Sequence, residues 1–184
     1  YSFTPLYESG DPRNIVYNFQ EAHFELRWVH KEEFRSNFGQ RISMGSKYPV
    51  ISTTYSRGFD NMGFGEFEYN KVELGFQYDR FTPGWGKSII TLEGGFIDKP
   101  LPYSMNFSGK PSYKPDFSIL VTNTFNTMRF NEFSSTQYAT LLFMHDFKSL
   151  LFKSGYFKPE IRIFQGIMFG TQRFPELHQS GAMP

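Results

Sequence analysis

The chain reads as all-β, an antiparallel transmembrane β-barrel, and as a partial barrel of about seven to nine strands in one region spanning residues 1–184. Three observations lead there. Aromatic residues make up 20% of the chain, with 23 Phe and 11 Tyr, yet hydrophobic residues reach only 39% and the mean hydropathy is -0.44. A soluble core is drawn mainly from Leu, Val, Ile and Ala. A membrane barrel instead sets apolar and aromatic side chains toward lipid and keeps its interior polar, which reconciles abundant Phe with a negative hydropathy. Apolar and polar residues also alternate one by one over several long stretches, the period of a strand with two unlike faces. Finally, the longest apolar runs, Ile119–Val121 and Leu141–Met144, fall far short of the ~18 residues a membrane helix needs, which excludes a helical membrane protein.

The elements follow in order. Residues 1–20 are punctuated by Pro5, Gly10 and Pro12 and read as a loop or interrupted strand. From Ala22 to His30 the alternation is clean, with Phe24, Leu26 and Trp28 on one face and His23, Glu25 and Arg27 on the other. Lys31–Gly45 is polar and reads as a turn or an extra-membrane loop. Tyr48–Arg57 is a β-prone run rich in Thr, Val and Ile, and the glycines of Gly58–Gly65 mark a loop. Glu66–Arg80 is the clearest strand: Val72, Leu74, Phe76 and Tyr78 alternate with Lys71, Glu73, Gln77 and Asp79. Its length exceeds the five or so residues of a common strand and suits the about nine to eleven that cross a bilayer.

Pro83-Gly84 sets a tight turn, and Lys87–Ile97 returns with Ile90, Leu92 and Phe96 on one face and Glu93 on the other. The prolines of Asp98–Asp116 resist pairing and predict a long loop, a candidate outer loop of the barrel. Phe125–Phe147 reads as two aromatic legs hinged at Ser134-Ser135-Thr136, a hairpin. Lys148–Pro159 is a further connection with room for a short helix. Glu160–Gly170 is the last strong strand, with Ile161, Ile163, Ile167 and Phe169 opposite Glu160, Arg162, Phe164 and Met168.

The lipid-facing candidates are therefore Phe24, Leu26, Trp28, Val72, Leu74, Phe76, Tyr78, Ile90, Leu92, Phe96, Ile161 and Ile163. The lumen-facing candidates are Glu25, Arg27, Lys71, Glu73, Asp79, Glu93, Arg129, Glu132 and Arg162. Both signs mix on the polar set, so unlike charges can pair across strands and the interior gains no strong ion selectivity. A solvated sheet face would alternate in the same way.

The strings PLPYSMNF and FNTMRFNEFSSTQYATLLFMHDF, with the LLF that follows, resemble the C-terminal barrel region of a family of uncharacterised Gram-negative outer-membrane proteins. GSKYPVISTTYSRG and EFEYNKVELGFQ are similar to segments of that family, in the same order, so the resemblance covers residues 22–170. In that family a carboxypeptidase-regulatory-like domain precedes a large barrel distantly related to the BamA/TamA class. The resemblance implies an outer-membrane location in a Gram-negative bacterium, with outer-membrane lipid and other envelope proteins as partners. It also implies a fragment, since Met183-Pro184 is not the aromatic-ended closing strand of such a barrel. The family often has Asp where Thr136 stands and His where Asp146 stands, so a lumenal network at those positions would differ here.

Chemistry-bearing motifs are sparse. With 19 Lys plus Arg against 18 Asp plus Glu, no net field draws nucleic acid, and none is expected as a partner. The chain has no Cys, so there is no disulfide framework or thiolate metal site. His23, His30, His145 and His178 show no metal-ligand spacing, and no metal or other cofactor is expected. Tyr1 onward carries no export signal, consistent with a chain that is not exported or with a mature or truncated one. Arg57-Gly58-Phe59 matches the RGF motif by which BamA-like barrels pin an arginine in the lumen, but its place after a strand favours a plain turn. His145-Asp146 could orient an imidazole, yet no serine stands in a nucleophile-elbow context, so no catalytic residue is assigned. Three function classes follow. The first is a non-catalytic outer-membrane barrel in envelope biogenesis, transport or surface display. The others are a soluble aromatic-rich β-sandwich or small barrel binding carbohydrate or lipid, and a barrel hydrolase.

Overall fold

The computed structural model describes residues 18–60, 65–113, 123–129, 132–148 and 159–173. Within them lie ten strands: β1 (Glu21–Val29), β2 (Glu33–Asn37), β3 (Gln40–Gly45), β4 (Val50–Asp60), β5 (Glu66–Thr82), β6 (Gly86–Ile97), β7 (Pro111–Tyr113), β8 (Phe125–Arg129), β9 (Gln137–Lys148) and β10 (Ile161–Thr171). Six of them form one antiparallel sheet in the order β1-β4-β5-β6-β9-β10. The fold is thus all-β and antiparallel in its main sheet, as expected. Against the expected partial barrel of about seven to nine strands, six strands share this sheet, and among the described residues no pairing joins β1 to β10, so these strands form no closed barrel.

The predicted strands appear where alternation placed them. Thr82-Pro83-Gly84-Trp85 turns β5 into β6: Trp85 N–H donates to the Thr82 carbonyl at 3.0 Å and Gly84 has φ 81°, the type II geometry that Pro followed by Gly favours. Lys31–Gly45, expected to be a loop, contains the β2–β3 hairpin. Its tip is Phe38-Gly39 with φ of 47° and 79°, the paired left-handed residues of a turn whose twist matches the strands it joins. β4 runs past Gly58 to Asp60, where a loop was expected. The connection at 149–158, its expected helix, the N-terminal stretch 1–17 and the tail from 174 lie outside the described residues.

The central hairpin of Phe125–Phe147 does not form. β9 pairs with β6 on one edge and β10 on the other, so no edge is left for β8, which instead pairs in parallel with β7. Ser134-Ser135-Thr136 is a crossing rather than a turn. Ser135 exchanges backbone hydrogen bonds with Phe107, both at 3.0 Å, and the Thr136 carbonyl accepts from Ile97 N–H at 2.9 Å.

The proline-rich segment from Asp98 also departs from its reading. It is not a free outer loop: it turns back through a single 3₁₀ turn, Tyr103–Met105, and with β7 and β8 straps one face of the sheet. The apolar core lies beneath it, with Tyr69, Ile97, Leu101 and Phe107 all buried and Phe67, Met105 and Tyr138 against them. Leu101 and Phe107, the strap's two members of this cluster, each contribute about 1.5–3 kcal/mol through burial.

Candidate functional site

Cross-strand register sorts the sheet into two faces, because directly opposed residues point the same way. One row runs Trp28, Ile51, Phe76, Leu92, Leu141, Ile167, and the next Leu26, Thr53, Leu74, Gly94, Ala139, Phe169. The rows on either side carry Tyr78, Ile90 and Phe143, and Phe24, Tyr55, Val72 and Phe96. No charged side chain stands among these rows. Polar rows bound them at each end: Arg80, Ser88 and His145 at one, Arg57 and Asn70 at the other.

This apolar face is uncovered. Leu74, in the interior of the sheet, is 57% exposed, and Phe24, Leu26, Trp28, Ile51, Leu92, Phe96, Leu141, Ile163, Ile167 and Phe169 are exposed with it. Taking ~200 Å² for a large side chain, the exposed apolar area is on the order of 1,000 Å², beyond the few hundred usual on a soluble monomer. The small residues Gly94 and Ala139 leave a trough of about 640 Å³ walled by Leu74, Leu92, Leu141 and Phe169.

Eleven of the apolar candidates, all but Ile161, fall on this one face. Ile161 sits at a bulge where β10 begins. Of the polar candidates, Glu25, Arg27, Lys71, Glu73, Asp79, Glu93 and Arg162 fall on the opposite face, whose rows include Arg27, Ser52, Gly75, Glu93, Thr140 and Met168. Arg129 and Glu132 do not belong to the sheet: Arg129 ends β8, and its backbone N–H donates to the Glu132 carboxylate at 2.8 Å. Arg57 lies on the apolar side at its polar rim, 3.7 Å from Glu68 and over the Phe59 ring.

The polar face is wired in pairs. Lys87 Nζ meets Asp79 at 2.9 Å, Arg162 Nε meets Asp146 at 3.1 Å, Lys71 Nζ meets Glu73 at 3.8 Å, and Lys110 of the strap meets Glu93. The Tyr138 hydroxyl donates to Glu73 at 3.2 Å. Between strap and wall, Lys71, Glu73, Glu93, Lys110, Tyr138 and Thr140 line a cavity of about 170 Å³. A wider hollow of about 390 Å³ opens near Arg27, Tyr48, Gln77 and Asp79. At the sheet's edges, Arg27 and Ser43 donate to Glu32 and hold its carboxyl below the usual range. The Glu68 carboxylate raises Lys99.

Two histidines are cross-strand pins. His145 Nδ1 bonds Ser88 Oγ at 2.8 Å and its Nε2–H donates to the Trp85 carbonyl at 2.9 Å, while His23 Nδ1 bonds Ser56 Oγ at 2.9 Å on the other face. The same Ser–His bond on both faces marks it as sheet stitching. Asp146 cannot serve His145, since successive residues point to opposite faces. Among the described residues, no group of three or more metal-capable side chains comes together.

What sequence reasoning missed is the strap's seat. On the polar face of β6, β9 and β10 stand Gly95, Leu142, Gly166, Met168 and Gly170. A β-carbon on Gly95 would stand 2.6 Å from Phe107 Cζ, one on Gly166 2.7 Å from Phe125 Cε1, and one on Gly170 would strike Phe133. Glycines inside strands signal such close approach, but only register shows which side chains come near these three.

The model of a family described as "Family of unknown function (DUF5686) C-terminal domain" matches residues 5–156. No curated protein and no solved structure matches the chain.

Proposed function

The chain belongs to the family of unknown function just matched, the DUF5686 C-terminal domain, and from that premise we propose that it is a stretch of outer-membrane β-barrel wall with a non-catalytic role in envelope biogenesis, transport or surface display. The uncovered apolar face carries this reading. Water penalises such a surface by about 25 cal/mol per Å², whereas acyl chains do not. Strand length agrees: β4, β6, β9 and β10 have 11, 12, 12 and 11 residues, enough to cross a bilayer at a tilt. The polar face turns toward an enclosed interior where its unlike charges pair, and the relation to BamA/TamA-like barrels belongs to the same proposal. Outer-membrane lipid is then the first partner, in a Gram-negative envelope.

A soluble β-sandwich would need a second sheet over Phe76, Leu92 and Ile163. Among the described residues none lies there, and the additional β7–β8 pair sits on the opposite face. The test uses the Cys-free background. A Leu74→Cys variant carrying an environment-sensitive label, reconstituted in phosphatidylcholine vesicles, should be quenched by brominated acyl chains, and a label at Thr54→Cys on the polar face should not. Absence of quenching at Leu74, together with a monodisperse monomer in detergent-free buffer, would overturn this reading in favour of a soluble domain.

A further inference from the structure

The polar face is not uniform, and the difference follows the strap. On β1, β4 and β5 it carries Glu25, Arg27, Ser52, Thr54, Lys71, Glu73 and Asp79, the make-up of a wetted surface. On β9 and β10, between the Arg162–Asp146 pair at one end and Thr140 and Tyr138 at the other, it turns to Leu142, Met144, Phe164 and Met168 with Gly166 and Gly170 among them. Apolar and side-chain-free positions are out of place on a wall facing water. Three of them meet the strap directly: Phe125 stands over Gly166, Phe133 over Gly170, and Gly109 lies beside the sulfurs of Met128 and Met168.

The geometry points to a built-in plug. We propose that the strap, residues 98–113, 123–129 and 132–136, stays docked on the inner wall of β6, β9 and β10 when the sheet is embedded in lipid, and closes that arc of the interior to solutes. This rests on the proposed barrel reading and adds that this arc of the interior is not open to diffusion. Three kinds of attachment hold the strap. Phe107 and Leu101 are buried against Ile97 and Tyr69. The Phe107–Ser135 backbone hydrogen bonds tie its first segment to its last, the Ile97–Thr136 bond ties that last segment to β6, and Thr136 N–H donates to the Thr171 carbonyl of β10 at 3.1 Å. Lys110 is paired with Glu93 of the wall. A mobile surface loop has none of these, and long loops without anchors are costly to order.

The experiment compares two single-cysteine variants of the full chain in phosphatidylcholine vesicles, both on the polar face: Thr140→Cys, buried beneath the strap, and Thr54→Cys, outside it. A polyethylene-glycol maleimide should label residue 140 at least ~10-fold more slowly than residue 54, the ratio set by the free energy of strap opening. Equal rates in folded protein overturn the plug. A second variant, Glu93→Cys with Lys110→Cys, should give an intramolecular product with a short bis-maleimide; two independently labelled thiols would again refute docking. Quenching at Leu74→Cys reports separately on the lipid reading. Loss of quenching with residue 140 still protected leaves a docked strap on a soluble sheet, whereas quenching with residue 140 exposed leaves an unplugged wall.

Discussion

Phe107 lies over Gly95: a β-carbon on that glycine would stand 2.6 Å from the ring's Cζ and also strike Tyr138. The adjacent Gly94 faces the other way, and a β-carbon there meets only the Tyr138 carbonyl oxygen, at 3.4 Å. Gly95→Ala should therefore cost about 1–3 kcal/mol through overpacking, while Gly94→Ala should be neutral or stabilise by about 0.5–1 kcal/mol by relieving the entropy penalty of a strand glycine. Denaturant midpoints of the two variants in detergent micelles provide the comparison. Equal effects would mean that Phe107 does not rest on β6.

Leu74 gives the solvent of the apolar face. With lipid against it, Leu74→Arg should cost about 2–4 kcal/mol near the midplane, measured as folding free energy into vesicles. In water the same change removes exposed apolar area and should raise solubility without loss of stability. A null effect in vesicles would mean that acyl chains do not contact this row.

The alternation of β1, β5, β6 and β10 was legible because their two faces meet unlike surroundings along nearly their whole length, so a period of two survives in the residues themselves. Phe125–Phe147 misled for the converse reason. Phe125, Met128 and Phe133 are apolar because they cover Gly166, Met168 and Gly170, far along the chain, and local pattern does not say which distant surface a side chain covers. The prolines of 98–116 likewise exclude a regular strand but leave open whether the backbone stands clear of the sheet or lies on it. Gly95, Gly166 and Gly170 carried that information, and they gain meaning only once register puts them on one face with Phe107, Phe125 and Phe133 above. The β2–β3 hairpin escaped because its alternation is short, Phe34 alone in the first leg and Ile42 and Met44 in the second; its Phe38-Gly39 turn was the available cue.

The β5–β6 turn separates backbone conformation from space. Gly84 and Gly86 both have positive φ, 81° and 104°, but a β-carbon at Gly84 meets nothing, whereas one at Gly86 strikes the Asp146 carbonyl oxygen of β9. Gly84→Ala should cost the left-handed conformation alone, about 1 kcal/mol. Gly86→Ala adds a backbone collision that β9 relieves only by shifting, so its thermal midpoint should fall clearly further. A ranking in the opposite order would contradict the β6–β9 register at Lys87 and Asp146.

Asp98 offers a pH signature at the far end of the same strand pair. Burial alone would push its carboxyl up, but the Asn70 backbone N–H at 2.7 Å and Asn70 Nδ2 at 2.6 Å both donate to it, and the Lys99 backbone and charge add to them. The net shift is downward from the ordinary value of about 3.9. A carboxyl whose folded pKa lies below its unfolded one stabilises the fold fully above the unfolded value and loses that stabilisation as pH falls through the folded one. Asp98→Asn keeps the size of the side chain and removes the titration. The stability gap between the native chain and this variant should be constant from pH 7 to about pH 5 and close below about pH 4, as read from denaturant unfolding at each pH. Parallel curves down to pH 2 would show that the Asn70–Asp98 bonds do not favour the ionised carboxylate.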